Sequence, residues 1–183
     1  MKKYFYFVLV LAIMSSCLIA CGTKGQNDSS IEQSQQDSLE AVKEIQTRIE
    51  EIYKDVFSYG GDYDYDEKYM SSEYKKLVSK AEECDEEFWM DDHWTQSQDP
   101  NAPFMKILSV ERTTDTSAIV QIMVSDSVHL RMASWATEVK LKLIKENGTW
   151  LIDDFITQFE GEEYSEKAFL KEHIALVENI KSV

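Results

Sequence analysis

An α+β fold is predicted by three features of the sequence. A stripe of apolar residues with helical period runs from Leu39 to Phe57, alternating β-rich runs take over after Pro103, and Asn147-Gly148 separates two of those runs. Together they predict N-terminal helices, then a mainly antiparallel sheet of about four strands, then a C-terminal helix.

The helical part opens at Asp37-Ser38-Leu39-Glu40, which has capping-box form: an N-cap oxygen, with a Glu three residues later to bond back. Leu39, Val42, Ile45, Ile49, Ile52, Tyr53, Val56 and Phe57 then fall three or four apart. That spacing lays them on one face of a helix of about 20 residues. Gly60-Gly61 closes it, because glycine reaches the left-handed conformation that ends helices. A second helix starts near Ser72 and uses Tyr74, Leu77, Val78 and Ala81. Residues 85–101 form a polar, Trp-containing connection ended by Pro100 and Pro103.

The period then changes. Residues 104–110 and 118–124 are β-rich runs around a reverse turn at Thr113-Thr114-Asp115. Residues 138–145 and 149–158 flank Asn147-Gly148, the dipeptide of a two-residue hairpin turn. Such a loop pairs Glu146 with Thr149, Leu143 with Ile152, Leu141 with Asp154 and Val139 with Ile156. The opposite face pairs Ile144 with Leu151, Lys142 with Asp153 and Lys140 with Phe155. The first set is the more apolar and is expected to face the core, carrying Asp154 inwards. Upstream, alternation shifts from Val128, Leu130 and Met132 to Trp135 and Val139, which calls for a bulge or short loop near 132–134. Ser165 opens the last helix, with Phe169, Leu170, Ile174, Val177 and Ile180 on one side.

The N-terminus reads as a separate unit. Lys2 and Lys3 precede an apolar run from Tyr4 to Met14. That run is about 11 residues, short of the ~20 that span a bilayer. Leu18-Ile19-Ala20-Cys21 follows and resembles the lipobox of bacterial lipoproteins. The resemblance implies cleavage after residue 20 and acylation, of the palmitate class, on Cys21. Gly22, where an Asp would retain a lipoprotein at the inner membrane of enterobacteria, implies outer-membrane sorting if the cell is Gram-negative. The expected organisation is a signal peptide over 1–20, a lipidated flexible tether over 21–36 and one domain over 37–183. The tether reading rests on Gly, Ser, Gln and Asn dominating 22–36.

Removing residues 1–20 leaves 163, enough for one domain with its own core. The formal charge of −15 falls by two to −17, because the lost segment holds two lysines and no acid. So acidic a surface repels nucleic acid and anionic headgroups, which argues against nucleic-acid partners. Cys17 leaves with the signal and Cys21 carries lipid, so Cys84 has no partner for an internal disulfide. Neither a disulfide nor a cofactor is expected.

Helices, then antiparallel strands ending in Asn147-Gly148-Thr149-Trp150-Leu151-Ile152-Asp153-Asp154-Phe155, resemble the nuclear-transport-factor-2-like (cone-shaped α+β) superfamily, and within it lipoproteins of uncharacterised function. The resemblance covers roughly 37–158 and leaves the C-terminal helix as an addition. It implies a long helix lying in the concavity of a curved sheet. It also implies an acid inside the cone, as in ketosteroid-isomerase-like relatives.

Candidate chemistry is sparse. Asp62, Asp64, Asp66 and Glu73 occupy positions 1, 3, 5 and 12 of an EF-hand calcium loop. Glu67 replaces the glycine at the sharp turn and Tyr69 the usual aliphatic, so the stretch reads as a solvated acidic loop rather than a metal site. Asp154, placed on the core face, is the one candidate pocket acid, because a carboxylate in an apolar cavity gains a raised pKa suited to proton transfer. Trp94 and Trp135 are aromatic candidates for pocket lining, a role that competes with ordinary core filling. His93, His129 and His173 lack the spacing of a zinc motif, and the acids after Cys84 disfavour its thiolate. No phosphate-binding glycine pattern occurs. One acid without a partner favours a binding or interaction module, for a small ligand or an envelope protein. The alternative is a small cone-fold isomerase or hydrolase that uses Asp154.

Overall fold

The computed structural model describes residues 28–58, 64–85, 88, 92–96, 103–127, 133, 135–159 and 161–182. Cys21, Gly60-Gly61 and Asp62 lie outside them, as does most of the expected bulge at 132–134. The chain divides into two units, 1–36 and 37–183. The described part of the first is helical, and the second holds all the remaining elements.

Helix α1 spans Asp28–Phe57, so it starts well before the expected cap at Asp37 and includes part of the stretch read as a tether. Glu32, Gln33, Gln35 and Gln36 are good helix formers and no Gly or Pro interrupts them, so the helix propagates through Asp37. Its core stripe is Ile45, Ile49, Ile52, Tyr53 and Val56; Leu39, expected on that stripe, is 71% exposed. A short α2 (Tyr65–Tyr69) is capped by Asp64, which accepts from Glu67 N at 2.9 Å. Helix α3 (Ser72–Cys84) begins where expected, with Ser71 Oγ accepting from Tyr74 N at 3.1 Å.

Five strands follow: β1 (Phe104–Arg112), β2 (Ser117–Ser125), β3 (Ala136–Glu146), β4 (Thr149–Phe159) and β5 (Glu162–Ser165). They form one curved sheet in sequence order, each pair antiparallel. The short β5 has no apolar alternation to announce it, since Glu162 and Glu163 make up half of it. The inner surface of the sheet is built by Val120, Ile122 and Val124 of β2, Val139, Leu141 and Leu143 of β3, and Trp150, Ile152 and Phe155 of β4. These form one cluster with the α1 stripe.

Asn147 and Gly148 both take positive φ, 51° and 82°, as a mirror-image two-residue turn requires. The register from Glu146–Thr149 to Leu143–Ile152 is the expected one. There it breaks. A bulge inserts Asp153, after which Lys142 faces Asp154, Leu141 faces Phe155 and Lys140 faces Ile156. The expected pairing of Leu141 with Asp154 is thereby corrected. An unbroken register would seat a carboxylate against Leu141 and push Phe155 outwards. Burying a Phe ring is worth about 2–3 kcal/mol, whereas a dry, unpaired carboxylate costs more than that. The bulge resolves both conflicts at once.

The outer edge of β4 has two partners. β5 pairs with Ile156 to Phe159, and Met70 bridges Ile152, with Ser71 N–H donating to Ile152 O at 2.8 Å. Helix α4 (Glu166–Lys181) begins at the N-cap Ser165, which accepts from Ala168 N. Leu170 and Ile174 are buried, but Ile180, expected on the same side, is 67% exposed.

Candidate functional site: a buried carboxylate–histidine network

The chemistry of the domain concentrates where α2, α3, β4 and α4 meet. Asp92 accepts from Trp94 N, Thr95 N and Thr95 Oγ1, which braces a tight turn around His93. The His93 ring is buried and stacks on Phe155 with centroids 4.3 Å apart. Its Nε2 lies 3.0 Å from Asp66 Oδ1, and its Nδ1 lies 3.3 Å from Glu166 Oε2. Tyr74 donates its hydroxyl to the same Glu166 oxygen at 2.8 Å, and Trp94 Nε1 donates to Asp66 at 2.7 Å.

Burial alone would pull the His93 pKa down. The bonds to Asp66 and Glu166, and their charge, outweigh it and raise the imidazole to about 10. Burial pushes Asp66 up, but His93 and the Trp94 N–H prevail and hold it below its ordinary value. Burial and Glu166 drive the Tyr74 phenol far up, so it stays a neutral donor. The Tyr53 hydroxyl, buried nearby without a hydrogen-bond partner among the described residues, is raised by burial and by the charges of Asp92 and Glu166.

At neutral pH this is an imidazolium clamped between two carboxylates. Both ring nitrogens are engaged, so neither can take a proton from a substrate. Proton transfer at neutral pH needs a group that titrates near 7 with a nitrogen or oxygen to offer.

A second cluster lies beside it. Asp153, on the bulge, accepts from Ser71 Oγ at 2.6 Å and from Lys167 Nζ at 2.9 Å. Lys167 also meets Glu73 at 3.0 Å. Burial would lower the Lys167 ammonium, but Asp153 and Glu73 raise it instead. Asp154 is only 2% exposed, yet it lies on the face opposite Leu141. It accepts from Lys167 N at 3.0 Å and Ser165 Oγ at 2.7 Å, with Lys142 Nζ 3.5 Å away. It therefore anchors the first turn of α4, where free amides and the helix dipole favour an anion. The inward pocket acid expected at Asp154 is a buried helix anchor.

The remaining candidates disperse. Asp64 caps α2, Asp66 faces His93, and Glu73 binds Lys167 and Lys171. The three described acids of the calcium-like stretch thus point to three different partners. Asp66, expected to be solvated, is half-buried, its side chain 35% exposed. Trp94 is 6% exposed and surrounded by Tyr53, Tyr65, Tyr69 and Phe155, so it fills core. Trp135 is half-buried against the same core.

His93, Glu166 and Tyr74 as a group were not legible in advance. His93 stands in a segment without periodicity, and Glu166 reads as an ordinary first-turn acid. The one available signal was Asp92 ahead of His93 and Trp94, a turn-forming acid beside two residues with polar edges.

Among the described residues, an open groove of about 460 Å³ lies between α1 and the β3–β4 hairpin. It is lined by Lys43, Thr47, Arg48, Thr149 and Trp150, with Glu40, Glu44 and Glu51 at hand. Arg48 Nε donates to Trp150 O at 3.1 Å and Lys145 Nζ meets Glu44 at 2.7 Å across it. No helix among the described residues is long and apolar enough to cross a membrane. No protein family profile, curated protein or solved structure matches the chain.

Proposed function

We propose that the chain is a lipid-anchored protein of the bacterial cell envelope. Its 37–183 domain, read as nuclear-transport-factor-2-like, is a binding or interaction module for a small ligand or an envelope protein. The engagement of both His93 nitrogens by Asp66 and Glu166 carries the choice of binding over catalysis. Asp154, committed to Ser165 and Lys167, supports the same choice. The mixed-charge groove beside Arg48 and Trp150 offers a surface for a polar ligand or peptide. Support for the anchor is the short apolar run followed by Leu18-Ile19-Ala20-Cys21, and support for the superfamily is the Asn147–Phe155 hairpin.

The anchor is tested by feeding cells a palmitate analogue and fractionating them. The full chain is expected in the membrane fraction bearing label, and Cys21→Ser in the soluble fraction without it. An unlabelled wild-type chain in the soluble fraction sinks the anchor. For the domain, isomerase and hydrolase substrate panels are expected to give no turnover. Turnover lost in Asp154→Asn at unchanged melting temperature would make the domain an enzyme instead.

A further inference from the structure

β1 is the outermost strand of the sheet, and among the described residues no other strand pairs with its far edge. At nine residues it is long for an edge strand, since such strands are usually short or covered, and a bulge between Ile107 and Ser109 is its one interruption. Its inner residues Met105, Ile107 and Val110 pack on the core but stay half-buried, while Val120, Ile122 and Val124 beside them are fully buried. The core therefore runs out to this edge and stops there only partly covered.

The backbone of that edge is ready to pair. Thr113 N–H donates to Ser117 O at 3.0 Å. Hydrogen-bonded and open positions alternate along an antiparallel ladder. Counting from Thr113, Arg112 and Val110 turn their amides and carbonyls away from β2. The bulge at Leu108 inserts one residue, so beyond it the outward groups belong to Ile107 and Met105.

The same bulge makes β1 read alike from both ends. Counted along the ladder, with the bulged Leu108 passed over, Ile107 and Val110 stand one step from Ser109, both on the inner face. Two steps away stand Lys106 and Glu111, both exposed on the outer face. Three steps away stand Met105 and Arg112, again inside. Without the extra residue, each of these pairs would fall on the same faces only in a different register.

We infer that β1 pairs edge to edge with β1 of a second copy of this chain, antiparallel, about a two-fold axis through Ser109. Lys106 of each copy then faces Glu111 of the other, and Ile107 faces Val110. The outward groups of Met105, Ile107, Val110 and Arg112 supply the ladder. Ser109 meets its own counterpart at an open position, where Cα atoms stand about 4.5 Å apart. Leu108, 41% exposed, lies beside the axis. The interface is isologous and closes on itself, so the sheet runs through two copies without propagating further.

Sedimentation of the full chain in detergent, over a wide concentration range, tests this directly. The wild type is expected to reach twice the monomer mass. Lys106→Glu or Glu111→Lys alone places two like-charge pairs in the interface and should raise the midpoint concentration roughly tenfold or more. The double exchange, Lys106→Glu with Glu111→Lys, should restore the dimer. Both positions are exposed, so unchanged melting curves will show that the single variants fold. Oxidised Ser109→Cys should run as a disulfide-linked dimer, and Glu138→Cys on β3 should not. A wild-type monomer at every concentration overturns the inference. So does a dimer indifferent to the single changes, or one that the double exchange fails to rescue.

Discussion

Removing the His93 charge is the most revealing perturbation of this molecule. His93→Gln keeps a hydrogen-bonding side chain between Asp66 and Glu166 but leaves one buried and one half-buried carboxylate without their cation. Breaking such a pair from one side costs about 3–5 kcal/mol. Titration leads to a similar figure. Raising the imidazole from 6.5 to about 10, at about 1.4 kcal/mol per unit, corresponds to about 5 kcal/mol. The folded state binds this proton more tightly than the unfolded chain does. The contribution is therefore complete below pH 6.5 and is lost as pH rises towards 10. Asp66 has the opposite sense: its carboxylate is held below the ordinary value, so its share is present at neutral pH and disappears in acid. Urea unfolding, followed by tryptophan fluorescence at several values between pH 6 and 10, should show a gap of about 3–5 kcal/mol between wild type and His93→Gln at pH 6. That gap should close steadily with rising pH. A gap of the same size at every pH would mean that shape, and not charge, makes His93 matter.

Asp154→Ala leaves the Lys167 amide and the Ser165 hydroxyl without their acceptor, so a loss of about 2–3 kcal/mol is expected. Hydrogen exchange should localise it to the first turn of α4, and uniform protection there would refute the anchoring role. Calcium should not change the melting temperature, because Asp64, Asp66 and Glu73 already serve Glu67 N, His93 and two lysines. A calcium-dependent rise that chelator reverses would show that these groups regroup around an ion.

Local rules carried most of the architecture. The α1 stripe from Ile45 to Val56, the cap at Ser71, the turn at Asn147-Gly148 and the cap at Ser165 all depend on neighbours within a few residues. They can be read from the chain itself. Two kinds of feature escaped. The bulge at Asp153 is decided by competition between Phe155 and Asp154 for the inner face, and alternation within one strand contains no term for that contest. The site escaped because its members lie far apart in the chain: Tyr74 and Glu166 are 92 residues apart, and Asp66 and His93 are 27. Charge type identifies such residues as acids and bases, but only the packed helices decide which of them meet.

The position of α4 bears on the order in which the molecule can become native. Glu166 supplies one of the two carboxylates that make a charged His93 tolerable, and Lys167 joins Asp153 to Glu73. Both residues belong to α4, which follows in sequence every element it completes. Until it docks, the aromatic interior around Trp94 encloses an imidazolium that is half-compensated, and the outward face of Asp154 has no helix to hold. A chain in which α4 has not docked can collapse, but its interior is electrostatically unfinished, so the final packing step waits for this helix.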